Sequence, residues 1–361
     1  MRRVHILTEG FVSPNGRAFL FPILVHDRRL RELGLDVRLF TAVRPGLTDC
    51  DVLMVDSKFH RTRWAHAAQA VLDEFHGYAE KVRGLVFCDT TDSARWLQVR
   101  LLPIVRRYCK GALLAAREAY LEPAYGSRTY ADYYHRTRGV ADADPETAEP
   151  VADRAMLDKL RLSWNSGLAD YSRFGPAKMA LYRRLPLKPL LSPPRRFTAA
   201  SAARTQEVSC RFGIAYARAS VGWQRAEIRR RLGHRMATEK LGRAAYFAEL
   251  RRARIVVSPF GWGEITLKDF EVFLTGGMLL KPDMSHMETW PDLFRPGETM
   301  ATHGWDLDDL EQVLERHLAD EPRRLRIAEH GQHMYRKHVA TAEGAGLFAE
   351  RFRDIVADAT G

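Results

Sequence analysis

The residues best suited to chemistry in this chain lie between Arg254 and Pro282. Ile255-Val256-Val257 is an apolar run of strand type, and Ser258-Pro259-Phe260-Gly261-Trp262-Gly263 is a turn. A helix is predicted from about residue 265 to 274, because Leu267, Phe270 and Leu274 fall at i, i+3 and i+7 on one stripe. Gly276-Gly277 closes it, and Met278-Leu279-Leu280 begins the next strand. A glycine-flanked turn feeding a helix offers free backbone N–H groups and the positive end of the helix dipole, which suits a phosphate or diphosphate. Glu271, in the second helical turn, carries an acceptor-only carboxylate able to hold a ribose diol. A plainer reading of the same charges is surface ion pairing, since Glu264 and Lys268 are four apart and Lys268 and Glu271 three apart.

A second set of candidates lies in the first half. Apolar runs at 4–7, 52–55 and 85–88 end in polar loops that hold Glu9, Gly10, Asp56, Lys58, Asp89 and Asp92. With a further run at 36–40 and helical patterns at 18–33 and 63–82, these runs predict a parallel sheet covered on both faces. Ligands in such sheets sit beyond the carboxyl ends of the strands. Taken singly, each of these residues reads as well as a structural loop residue, with Asp92 and Ser93 capping a following helix. The stretch 120–150 holds Tyr125, Tyr130, Tyr133, Tyr134 and His135, then an acidic loop; it suits either a sugar or nucleotide site or an irregular packed insert.

Four prolines at 186–194 mark a semi-rigid linker. A strand is predicted to restart at Phe212-Gly213-Ile214-Ala215-Tyr216, with Arg218 just past its carboxyl end, followed by helices at 223–232 and 246–253. The domains expected are an N-terminal α/β domain over 1–195 with the insert at about 120–150, a linker at 186–206, a second α/β domain over 207–340 and a C-terminal helix over 341–361.

The second half resembles nucleotide-sugar glycosyltransferases of the GT-B type, which pair two Rossmann-like domains across a central cleft. The resemblance is carried by residues 258–264 and 269–282, by Pro291-Asp292-Leu293-Phe294-Arg295-Pro296-Gly297-Glu298-Thr299, and by the helices from Trp305 to His338. It covers about 212–338; the first half matches in architecture alone. It implies transfer of a sugar from a nucleotide-diphospho sugar to an acceptor hydroxyl, in bacterial glycan or glycoconjugate biosynthesis, with no cofactor and no metal. Donor binding would fall to Gly261, Trp262, Gly263, Glu264 and His286, with Glu271 on the ribose and Arg218 and Lys268 on the diphosphate. The acceptor would lie on the first domain, along Gly10, Asn15, Gly16 and Tyr134, and would be lipid-linked or a polysaccharide. An inverting reaction needs a base, and Glu9, Asp56, Asp92 and His135 are the candidates. Many retaining members place seven residues between two glutamates; Glu264 and Glu271 have six between them, so the stereochemical outcome stays open.

Composition bounds these readings. The chain has 361 residues, 46% hydrophobic and 28% charged, which is globular and not disordered. Its net charge of +11 draws polyanions, whether nucleic acid, anionic membrane or phosphorylated small molecules. The basic run Arg229-Arg230-Arg231 points in three directions around a helix and is expected to lie in solvent or against anionic lipid rather than on a donor phosphate. Four dispersed cysteines without a CxxC give no disulfide or zinc framework. The N-terminus lacks a leader pattern and no apolar run spans a membrane, so a cytoplasmic protein, peripheral at the inner membrane surface at most, is expected. An epimerase of the same fold, or a basic nucleic-acid-binding protein, are the alternative functions; the arginines are scattered and no nucleic-acid module is present, so no nucleic-acid partner is expected. The linker also predicts that the cleft closes on the donor, since small inter-domain interfaces permit motion.

Overall fold

The first half builds six parallel strands. Arg2–Leu7 is flanked by Leu35–Phe40 on one side and by Val52–Asp56 on the other, followed by Gly84–Asp89, Arg107–Lys110 and Leu160–Leu162. The registers are in phase, with Val4 opposite both Val37 and Val52, and Phe87 opposite Tyr108. Every residue of Val52–Asp56 and Gly84–Asp89 is buried, as expected where helices cover both faces of a sheet. The second half builds four parallel strands in the order Gln206–Ser209, Ala253–Val257, Met278–Pro282 and Ala301–His303. The protein therefore has the two-sheet, Rossmann-like architecture expected of the GT-B type. This computed structural model describes all of residues 1–361. No helix is long and apolar enough to cross a membrane.

Several local expectations need correction. The strand expected at 212–216 forms instead at Gln206–Ser209, where Val208 faces Ile255; residues 211–216 are irregular. Arg218 consequently stands at the N-cap of helix Ala219–Leu232, not directly after a strand. No helix begins at Asp92-Ser93. The insert is more ordered than expected, since it contains helix Thr129–Arg138, closed by Gly139 in the left-handed conformation. The helix expected at 265–274 spans Leu267–Thr275. At its start the Asp269 carboxylate accepts the Thr266 N–H at 2.8 Å and the Thr266 hydroxyl at 3.0 Å. Gly276, at φ +71°, ends it with the chain too close to Thr198 and Ala200 to admit a side chain.

The two halves are not loosely hinged. Ala112–Leu114 of the first half pairs antiparallel with Met287–Thr289 of the second. Helix Ala342–Asp358 returns to the first half, where Asp358 accepts Arg107 Nε at 2.6 Å and Arg161 Nε at 2.7 Å, and Phe348 and Phe352 pack on Trp164. Asn165 Nδ2 donates to Thr289 Oγ1 and to the Pro291 carbonyl. One apolar core of 71 residues runs through both halves; a second of 16 lies on the other side of the second sheet. A shared core of that size opposes rigid-body opening, so the closure inferred from the linker is not supported: relative motion is the default only for small, polar interfaces.

Candidate active site

The carboxyl ends of both sheets face one cleft of about 760 Å³. One wall comes from the first half: Ser13, Pro14 and Asn15 at the start of helix Pro14–Val25, then Thr91, Asp92 and Ser93 after Gly84–Asp89. The other wall comes from the second half: Tyr216, Arg225, Gly261-Trp262-Gly263 and the N-terminal residues of helix Leu267–Thr275. The walls meet at Gly263, where a Cβ would fall 2.0 Å from the Asp92 carbonyl oxygen. Only glycine permits that approach, which explains the residue better than phosphate binding alone.

Of the four candidate bases, only Asp92 lines the cleft. It is exposed, and its Oδ1 accepts Asn15 Nδ2 at 2.9 Å. Asn15 also donates to the Thr90 carbonyl at 2.8 Å, which ties the two loops together. Glu9 closes its own loop by accepting the Ser13 N–H at 3.0 Å, beside Gly10 (φ +74°) and the buried Gly16. His135 lies away from the cleft, stacked on Tyr125 at 3.7 Å with Nδ1 on the Val140 carbonyl. Tyr134 is buried too, its hydroxyl accepting Gln224 Nε2 at 2.6 Å, so it joins the insert to the second half rather than facing an acceptor.

Asp56 is fully enclosed beneath the loops. It accepts the Thr8 hydroxyl at 2.9 Å, the Thr90 hydroxyl at 3.0 Å and the Lys58 N–H at 3.1 Å. Burial pushes its carboxyl up to about 6, against the pull of those donors. A folded-state value raised above the unfolded one means that the native state holds the proton longer. The associated stability is present in full below about pH 4 and is lost as pH rises through about 6. Asp56→Asn is expected to gain about 2–3 kcal/mol relative to the parent across that window. Chemical denaturation at several pH values checks this, and a pH-independent difference between the two proteins would refute it.

The surface ion pairs suggested for the 264–271 charges do not form. Glu264 is fully buried between the halves, accepting the Ser93 hydroxyl at 3.3 Å and the Ala94 N–H at 3.1 Å, with His286 Nε2 at 3.8 Å. Burial raises this carboxyl, but the His286 imidazole and the Ala94 N–H outweigh it and hold the group below the ordinary glutamate value. His286 packs edge-on against Trp305 at 4.8 Å and stays behind the cleft wall. Lys268 turns toward the carbonyls of Arg211 and Val257, and burial pulls its amine down to about 8. Glu271 is buried, pushed up by desolvation and opposed by Arg243, whose Nη1 donates to it at 3.1 Å. Arg218 is 2.5 Å from Glu146 and does not line the cleft. No group of three or more His, Cys, Asp or Glu side chains is gathered around a metal-sized site.

Four cations line the cleft: Lys58, Arg61 and Arg128 from the first half, and Arg225, which alone comes from the second half. Arg225 Nε donates to the Phe260 carbonyl at 2.6 Å and its Nη1 to the Gly213 carbonyl at 3.1 Å, with the guanidinium 5.0 Å over the Tyr216 ring. Its Nη2 faces Gly261, where an added Cβ would stand 3.3 Å away. The turn itself is held from the insert: Tyr130 Oη donates to the Gly261 carbonyl at 2.6 Å, and Arg128 Nε to the Trp262 carbonyl at 2.6 Å while covering the Trp262 ring. A sequence signal for Arg225 existed. Val221, Arg225, Ile228 and Leu232 fall at i, i+4, i+7 and i+11, which puts a cation on the apolar stripe of its helix. Arg128 and Tyr130 carried no such signal.

Residues 190–345 match the family model described as glycosyl transferase-like, which overlaps the stretch 212–338 that carries the resemblance. No curated relative matches the chain in sequence. Among solved structures, it is similar to Anabaena Alr3699/HepE, crystallised with UDP-glucose, at 12% identity and a TM-score of 0.47, over 98% of this chain and 100% of that one. It is also similar to the T4 phage β-glucosyltransferase at 10% identity and a TM-score of 0.43, over 98% and 99%. A glycosyltransferase from Rickettsia africae matches at 8% identity and a TM-score of 0.45, over 99% and 98%.

Proposed function

We propose that the protein is a glycosyltransferase that moves a sugar from a nucleotide-diphospho sugar to an acceptor hydroxyl in the cleft between its two sheets. The observation that carries this reading is the facing pair of walls, with the Gly261–Gly263 turn and the Arg225 guanidinium on one and the Asp92 carboxylate on the other. The glycosyl transferase-like match falls on the wall assigned to the donor. The diphosphate would lie at the N-terminus of helix Leu267–Thr275, beside Arg225 rather than Arg218 or Lys268. A guanidinium already clamped on two carbonyls needs little reorganisation when negative charge develops on the leaving group. The exposed Trp262 offers an apolar face to the base or the sugar. The acceptor would enter along Ser13–Asn15. Asp92 takes its hydroxyl proton, the oxygen attacks the anomeric carbon, the bond from that carbon to the diphosphate breaks, and the nucleoside diphosphate leaves. Transfer in this form inverts the anomeric centre.

Glu271 keeps its role as ribose acceptor in this reading, once Arg243, 41% exposed, swings off it. Glu271→Gln is then expected to weaken nucleotide binding by on the order of 1.5–3 kcal/mol without lowering Tm. Calorimetry with UDP, GDP, dTDP and CDP tests both statements. One of the four should bind, and at a hundred times its Kd should stabilise the fold by about 2.7 kcal/mol. The functional proposal falls if none binds, and the Glu271 assignment falls if the variant binds as the parent does.

A further inference from the structure

We propose that the surface formed by residues 173–196 docks on an anionic lipid bilayer. From Tyr171 to Gln206 the chain carries eight Lys and Arg residues and no carboxylate, against a net charge of +11 for the whole protein. Most of these cations are free of internal partners. Lys178 lies 3.8 Å from Asp170, but Arg173, Arg183, Arg184, Lys188, Arg195 and Arg196 have no carboxylate within 4.0 Å. The Arg229–Arg231 run, once a candidate for lipid contact, is the opposite case: Glu239, Glu227 and Asp308 neutralise it from within the protein.

Apolar side chains stand among the unpaired cations. Of eleven exposed large hydrophobic residues in the chain, four fall in the fourteen positions from Phe174 to Leu187, namely Phe174, Leu181, Leu185 and Leu187 at 44–59% exposure. Residues 183–189 are exposed without interruption. Beside them, a recess of about 760 Å³ gathers Arg173, Lys178, Arg195, Arg196 and Arg251 around one carboxylate, Asp170, a place for a lipid phosphate. Nucleic acid would satisfy the arginines but leave the phenylalanine and three leucines in water. A bilayer interface accepts both, cations at the headgroups and apolar tips below them.

The position of this surface connects it to the cleft. Helix Gly175–Tyr182 sets the Tyr182 ring 4.9 Å from that of Phe11; the next residue, Val12, is exposed, and Ser13 and Pro14 line the cleft. The acceptor side of the cleft thus opens beside the docking surface, so a lipid-linked acceptor hydroxyl reaches Asp92 without leaving the membrane. That consequence rests on the function proposed above, whereas the docking itself does not.

The test is co-sedimentation of the full chain with vesicles of phosphatidylcholine alone and of phosphatidylcholine mixed with phosphatidylglycerol, with duplex DNA as a third arm. Capture is expected on the anionic vesicles only. Replacing Phe174, Leu181, Leu185 and Leu187 together by Ser should weaken it about tenfold or more. Replacing Arg183, Arg184, Lys188, Arg195 and Arg196 together by Gln should weaken it roughly a thousandfold or more. All nine residues are exposed or at the surface, and nucleotide affinity in both variants should match the parent's. Equal capture on neutral vesicles, unchanged capture by both variants, or capture of DNA in place of vesicles would overturn the proposal. Capture as expected by a protein that binds no nucleotide supports the docking surface and sinks only the donor-site reading.

Discussion

Asp92→Asn is expected to lower kcat by about 10²–10⁴-fold while leaving nucleotide affinity intact, the range associated with losing a positioned general base. Asp92 is the one carboxylate among the candidate bases that reaches the cleft, and Asn15 holds Oδ1 so that Oδ2 remains for the acceptor hydroxyl. The substitution preserves shape, and the new amide oxygen can still accept from Asn15, so the loop and its contact with Gly263 should persist. Steady-state rates at saturating donor, together with a melting curve, make the measurement. Turnover near that of the parent would remove Asp92 from the chemistry and favour a retaining route, which needs no base on the acceptor.

Arg225→Ala is expected to reduce kcat by about 10²–10³-fold, the cost typical of removing one preorganised donor from developing negative charge. The arginine also clamps the carbonyls of Phe260 and Gly213, so the alanine variant confounds chemistry with loop position. Arg225→Lys separates them. A lysine restores the charge as a point but cannot hold two carbonyls and a phosphate in one planar fork, so it should recover Tm more than it recovers rate. Arg218→Lys, by contrast, should leave the rate nearly unchanged, because Arg218 is paired with Glu146 and lies off the cleft. If Arg218→Lys abolished turnover and Arg225→Lys did not, the diphosphate would have to be placed on the other side of the turn.

Local pattern was enough to read the frame of this protein. The apolar runs at 4–7, 52–55, 85–88, 255–257 and 278–280 all lie in buried parallel strands, since a strand covered on both faces must be apolar at consecutive positions. The turn at Gly261–Gly263 and the helix Leu267–Thr275 were legible for a similar reason, as glycine and a 3.6-residue period act within a few residues. The single core stripe was not: Leu267 is exposed at the cleft and Asp269–Thr275 is buried all round. Which side chains meet was not legible. Glu264 bonds Ser93 and Ala94 from 171 and 170 residues away, and Tyr130 reaches Gly261 across 131. Spacing alone made Glu264, Lys268 and Glu271 an ion-pair series, yet the fold turns one into the joint between halves, one toward backbone carbonyls and one onto Arg243. The spacing puts Arg225 on the apolar stripe of its helix, but that this stripe ends at the cleft is seen only once Ala219–Leu232 is docked. Such pairings depend on how the faces of remote elements are apposed, and that is settled by burial of the 71-residue core common to both halves, a property of the whole packing that no local window contains.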